Sequence, residues 1–369
     1  VAMTDEPLPP AILLDGYDHG PLTMGVLGSH SALEVASGAR EEGMRTVVVC
    51  QRGRDATYTR HFRNLFDDVI LLERFSDVCE TDVIDELRSK RTVFVPNRSF
   101  STYVPYDRIE RQFRVPLFGN RRLLRAEERD ASPNQMDLLR SADIRTPRTF
   151  PKPQDIDRLV MVKVPHATRR VERGFFTAGS YREYTDVAQR LVEAGRIRGD
   201  DLESATIEEF VVGAQFNLDY FASPMSGDVE FLGADQRIET TIEGVLRMTA
   251  EEQAVASIVP SLIPVGHRGV TVRESLLDGV FAMGERLVEA TRKVAPPGLI
   301  GCFSLQGVFL DTLEFCVFDL STRVPGAPIV QTTSPYTRYK FGAEMSIGRR
   351  IAMELSAASR AGRLADIVT

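Results

Sequence analysis

The chain has 369 residues, 43% of them hydrophobic, and a formal net charge of -7. That length exceeds what one simple core serves, so division into two or three lobes is expected. No apolar run is long enough to cross a bilayer as a helix, so no membrane partner is expected, and the acidic balance points weakly away from a general nucleic-acid binder. Residues 1–10 are acidic and proline-rich rather than basic then apolar, so no secretory leader is read there and the cytoplasm is the expected compartment.

From Met24 the chain alternates short apolar runs with helix-length segments. A run ending Val26-Leu27-Gly28 precedes an amphipathic stretch over 31–43. The β-branched run 46–50 follows, then 69–72, a helical pattern over 82–90 and the run 92–96. Such spacing predicts a parallel, Rossmann-like sheet whose ligand lies beyond the carboxyl ends of the strands. Two loops fall at those ends. Gly28-Ser29-His30-Ser31 leads into a helix and offers N–H groups and hydroxyls to a phosphate; helix capping is the structural alternative for Ser29 and Ser31. Asn97-Arg98-Ser99-Phe100 sets polar groups beside an aromatic ring.

Residues 115–125 read as the bridge out of the first lobe, and the polar stretch 127–134 marks a boundary. Helix resumes over 135–142. The runs 159–164 and 174–178 predict a hairpin with a long tip over 165–173, followed by helix over 181–194. Strands return over 229–241 and around Gln306 and Asp319, with helices over 272–293 and 345–358. Cys50, Cys79, Cys302 and Cys316 are scattered in apolar context and read as reduced core residues, not as a zinc site or disulfide framework.

Residues 207–221 carry the strongest chemical signal. Glu208 and Glu209 precede Phe210, Val211 and a glycine, and then a second extended run. This resembles an adenine-binding hinge, in which backbone groups meet the base edge and an acid accepts from adenine or ribose; an ordinary β-hairpin with solvated acids is the alternative. Lys163 ends an apolar strand where an ammonium reaches a phosphate. Gln306 and Asp319 offer oxygen ligands on neighbouring strands, which suits magnesium.

With these residues in order, together with 115–121, Arg273-Glu274, Pro297-Gly298, Ser334-Pro335-Tyr336 and Gly348-Arg349-Arg350, the sequence resembles a known family. It is similar to the archaeal formate-dependent 5-formaminoimidazole-4-carboxamide ribonucleotide synthetases of the ATP-grasp superfamily, from about Gly25 to Leu355. The resemblance implies an α/β ATP-grasp fold with an N-terminal Rossmann-like, pre-ATP-grasp domain over 1–125. A central subdomain with a hairpin flap over 126–212 and a C-terminal subdomain with the magnesium site over 213–369 would follow. It also implies a homo-oligomer acting on small molecules: ATP, formate or another small carboxylate, and a phosphorylated amine.

In that family ATP phosphorylates formate, and the acyl phosphate is attacked by the amine of aminoimidazole carboxamide ribonucleotide. Carried over, Lys163 and Arg323 become the catalytic cations. Lys163, Arg169, Arg170, Arg173, Glu208, Glu209, Phe210, Val211, Asn217 and Glu239 become ATP contacts. Ser29, His30, Ser31, Ser99 and His267 hold the ribonucleotide, and Gln306 and Asp319 hold Mg2+. The chain departs from the pattern at several points. Arginines stand at 169, 170 and 173 where a glycine-rich flap is expected, and Asp319 stands where glutamate is expected. Residues 323–328 lack Gly-Gly-Thr-Asn, and Asn97-Arg98 and His267 replace His-Gly and Asn. These departures leave open a paralogous ligase with another carboxylate and amine, or a nucleotide-binding protein without catalysis.

Overall fold

The computed structural model describes residues 8–17, 20–128, 131–164, 174–256 and 263–369. The first runs form β1 (Thr23–Leu27), β2 (Arg45–Gln51), β3 (Asp68–Leu72) and β4 (Thr92–Phe94), a parallel sheet in the order β3-β2-β1-β4. Every β1 residue is buried, as in a strand covered on both faces. Because β1 lies between β2 and β4, the strand order reverses there, and the crevice opens beyond the carboxyl ends of β1 and β4. β4 ends at Phe94, short of the run read to 96; Pro96 has no N–H with which to extend the ladder.

The helix Ala32–Glu41 covers this sheet and is crossed by the helix Ile347–Arg360 from the far end of the chain. A Cβ on Gly38 would stand 1.9 Å from Arg349 N, and one on Gly348 would stand 2.3 Å from Glu34 O. Only glycine permits so close a crossing. Leu117 and Thr369 then exchange backbone hydrogen bonds of 3.1 and 2.9 Å, so the end of the chain packs with the first lobe.

The central region forms β5 (Val160–Val164), β6 (Gly174–Ala178) and β7 (Thr206–Glu209), antiparallel in the order β6-β5-β7. Val160, Val162, Val164, Phe176 and Ile207 share a core with the helix Tyr181–Glu193. Alternation turns Met161, Lys163, Thr206 and Glu208 to the other face.

The largest sheet is antiparallel and contains β8 (Ala214–Ala222), β9 (Val229–Glu239), β10 (Pro264–Val270), β11 (Gly301–Phe309) and β12 (Phe315–Ser321), in the order β10-β9-β8-β11-β12. β7 and β8 lie in different sheets, so 207–221 is a link between sheets and not a hairpin. Gly213 makes this possible: a Cβ there would stand 2.3 Å from Phe309 O, so its close approach delivers the chain onto β11. One face of the large sheet, with Leu218, Tyr220, Phe231, Phe303 and Leu305, packs on the helix Leu277–Val294. On the other face Phe221 and Cys302 join the first lobe's core. All four cysteines are buried and free, and among the described residues no helix is long and apolar enough to cross a membrane.

Candidate functional site

Away from Phe221 and Cys302, that second face becomes polar. Strand pairing lines up Asp319, Gln306, Asn217 and Asp235 across β12, β11, β8 and β9, and behind them Ser321, Ser304 and Asp219. Alternation along β9 adds Arg237 and Glu239, and His267 on β10 pairs with Arg237. Asn217 Nδ2 donates to Asp235 Oδ1 at 2.6 Å, and His267 Nδ1 stands 2.9 Å from the same oxygen. Gln306 Oε1, Asn217 Oδ1 and Asp235 Oδ2 are buried without a hydrogen-bond partner. Unpaired buried oxygens are costly, and several together mark a place built for an external donor or cation. Burial, reinforced by the neighbouring Asp235 charge, holds the Asp219 carboxyl well above the usual range.

The first lobe supplies the facing wall. His30 adopts φ 53°, a left-handed conformation uncommon outside glycine. Its neighbour Ser31 leaves the helix uncapped and donates from Oγ to Pro325 O at 2.8 Å, so the capping alternative does not hold for Ser31 and its hydroxyl ties the loop to the segment after β12. Gly326 admits the imidazole, since a Cβ there would stand 2.5 Å from His30 Cε1. Burial, and then the charges of Arg323, His267, Arg237 and Arg98, push His30 down to about 3, so the ring is neutral. Asn97 is fully buried and structural: its side chain donates to Leu27 O and Ser29 O at 3.0 and 2.8 Å and caps the helix that begins at Arg98.

A buried carboxylate knits these cations together. Glu127 Oε2 lies 3.2 Å from Arg98 and 3.4 Å from Arg323, while its Oε1 accepts from Thr322 N at 2.8 Å. Burial lowers the Arg323 pKa although Glu127 opposes the change, and its Nε is buried without a partner. Both arginines also feel Asp319. In the small sheet, Lys163 Nζ donates to Glu208 Oε2 at 2.5 Å. Glu209 points the other way, to Arg158 at 3.2 Å, as adjacent strand residues must. Phe210 and Val212 are exposed in the link that follows.

His267, Arg323, Gln306, Asn217 and Asp319 therefore line one side of a cleft and His30 the facing side, with the buried Ser99 in the first turn of the helix that begins at Arg98. Lys163 and Glu208 occupy the inner face of the small sheet. Arg169, Arg170 and Arg173 lie outside the described residues.

Two family models match the chain: a domain of unknown function (DUF1297) over residues 183–369 and a protein of unknown function (DUF1246) over 24–150. Among curated proteins, the 5-formaminoimidazole-4-carboxamide-1-(beta)-D-ribofuranosyl 5'-monophosphate synthetase of Methanopyrus kandleri is 44% identical, covering 97% of this chain and 98% of its own length. The protein of the same name from Methanothermobacter thermautotrophicus is 42% identical, covering 97% of each. The chain belongs to this synthetase family. The crystal structure of an IMP biosynthesis protein PurP from Thermococcus kodakaraensis has TM-score 0.71 at 26% identity, covering 94% of this chain and 100% of that one. An ADP complex of N5-carboxyaminoimidazole ribonucleotide synthetase has TM-score 0.60 at 13% identity, covering 92% and 78%, a likeness of fold. The fold is that of the ATP-grasp enzymes.

In this member of the synthetase family, Asp235, Arg237, Arg98 and Glu127 line the site although no motif announces them. The signal was the polar alternation Asp235, Arg237, Glu239 at the end of β9, which a solvated surface also produces.

Proposed function

We propose that the protein uses ATP to activate formate and transfers the formyl group to the amine of aminoimidazole carboxamide ribonucleotide. The observation that carries this reading is the row Asp319, Gln306, Asn217 and Asp235, set opposite the His30 loop at the strand-order reversal. A carboxylate is inert to an aromatic amine until one oxygen becomes a phosphate leaving group, which ATP supplies. The relatives' printed name and end-to-end coverage support the substrate.

Mg2+ fits Gln306 and Asp319. Both donors are oxygens, they sit on paired strands, and Gln306 Oε1 is buried with no bond of its own. Among the described residues no three His, Cys, Asp or Glu form a metal cluster, in keeping with an ion held by few side chains together with substrate phosphates. The bound ion would neutralise charge on the transferring phosphoryl group. Lys163 and Arg323 add fixed positive charge around that group, a role the family resemblance also implies for Arg169, Arg170 and Arg173, which lie outside the described residues. Glu208, Phe210 and Val211 receive the adenine, with Glu209 bracing the hinge through Arg158 and Asn217 and Glu239 bordering the nucleotide. Ser29, the neutral His30, Ser31, Ser99 and His267 grip the ribonucleotide by hydrogen bonds, while Arg98 and Arg237 supply countercharge.

ADP release against a panel of small carboxylates and amines, with product masses, tests the reading. Formate with the ribonucleotide should be the productive pair, and Asp319→Ala should abolish turnover while the fold persists. Residues 323–328, without Gly-Gly-Thr-Asn, favour a second reading, a ligase of the same type with other substrates; turnover of a different pair would select it.

A further inference from the structure

The dyad of His267 and Asp235 has the geometry of a base and its orienter. Asp235 is 1% exposed and accepts from Asn217 Nδ2 at 2.6 Å, which fixes its carboxylate in the plane of the row. A carboxylate only accepts, so the 2.9 Å contact from its Oδ1 requires the proton on His267 Nδ1 and leaves Nε2 with a lone pair. The part-buried His267 stands on the wall that faces His30 and is among the neighbours that keep His30 from taking up a proton. His30 itself is held neutral by burial and by the surrounding cations, so it cannot serve as a proton acceptor at neutral pH. Among the described residues, the charged and titratable groups facing His267 include Asp235 and Arg237 from β9 and His30 from the loop after β1.

We propose that His267, oriented by Asp235, accepts the proton released when the substrate amine is acylated; this rests on the acyl-phosphate reading above. In the step, the amine nitrogen attacks the formyl carbon and the C–N bond forms. The C–O bond to phosphate breaks, its electron pair leaves with inorganic phosphate, and the N–H proton passes to Nε2. Asp235 is a positioning residue, holding the tautomer and stabilising the imidazolium. Arg237 beside the ring opposes that charge, so the carboxylate is needed to offset it.

The test uses the full chain with Mg-ATP and formate, and divides the reaction. Hydroxylamine traps the activated formyl group as its hydroxamate without the ribonucleotide; product formation with the ribonucleotide reports the second step. His267→Gln should leave hydroxamate formation within about twofold and lower kcat for the ribonucleotide roughly 100-fold, the range of a general base. Added imidazole should restore part of the rate to His267→Gln, which a merely structural defect would not allow. Asp235→Asn should lower kcat for the ribonucleotide while its KM stays near the wild-type value. If His267→Gln keeps kcat for the ribonucleotide while wild type forms hydroxamate, the inference is overturned alone. If wild type yields no hydroxamate, the acyl-phosphate reading falls and takes the inference with it.

Discussion

Glu34 should make the fold less stable as pH rises, and removing its charge should abolish that dependence. The residue is buried on the helix Ala32–Glu41, and its Oε1 accepts the backbone N–H of Ile347 at 3.0 Å, where the last long helix begins. Burial pushes its pKa from 4.5 up to about 7, with Ile347 N–H pulling down and Asp235 pushing up. A raised folded-state pKa means that stability is fully present below the unfolded value and is lost as pH climbs through the folded one. The window therefore runs from 4.5 to about 7. At about 1.36 kcal/mol per tenfold, the gap amounts to about 3 kcal/mol, most of which falls between pH 5 and pH 8. Glu34→Gln retains the acceptor for Ile347 and cannot ionise. Urea denaturation of both proteins at pH 5 and pH 8, with slopes checked for equality, gives a double difference in which all other titrating groups cancel to first order. Wild type should lose about 2 to 3 kcal/mol more than the variant over that range. Equal losses would mean that Glu34 is already ionised at its ordinary pKa and that the burial argument is wrong.

The helix crossing predicts that Gly348→Ala destabilises by about 3 kcal/mol or more, because the new Cβ meets backbone instead of a movable side chain; an unchanged urea midpoint would refute the close crossing. Gly326→Ala should displace the His30 ring and raise KM for the ribonucleotide roughly tenfold with ATP affinity unaltered, read by steady-state kinetics and calorimetry. Replacing Arg169, Arg170 and Arg173 together by alanine should raise the ATP KM or lower kcat about tenfold, equivalent to about 1.4 kcal/mol; unchanged kinetics would make them an exposed hairpin tip.

The strands of the first sheet were legible because buried parallel strands need β-branched runs, and 46–50 and 69–72 can be little else. The loop at 28–31 was legible for the same reason, since position at a strand end carries the inference; 97–100, read as a loop, is instead the cap and first turn of a helix. The capping alternative for Ser31 rested on a local rule, since a serine before a helix resembles a cap, and nothing in the sequence signals that the distant Pro325 carbonyl takes its hydroxyl. The hairpin alternative for 207–221 failed similarly, because turn chemistry at Gly213 does not reveal which sheet receives the next strand. The crossing at Gly38 and Gly348 leaves no local trace in either helix. Asp235 and Arg237 stayed hidden because alternation reports which residues share a face, not what that face meets.

The most direct measurement of the central claim follows oxygen. Formate carrying 18O in both positions is turned over with ATP, Mg2+ and aminoimidazole carboxamide ribonucleotide, and the inorganic phosphate is analysed by mass. Activation of formate through an acyl phosphate predicts one 18O in the phosphate for each formyl group transferred. Product formed with unlabelled phosphate would contradict the account.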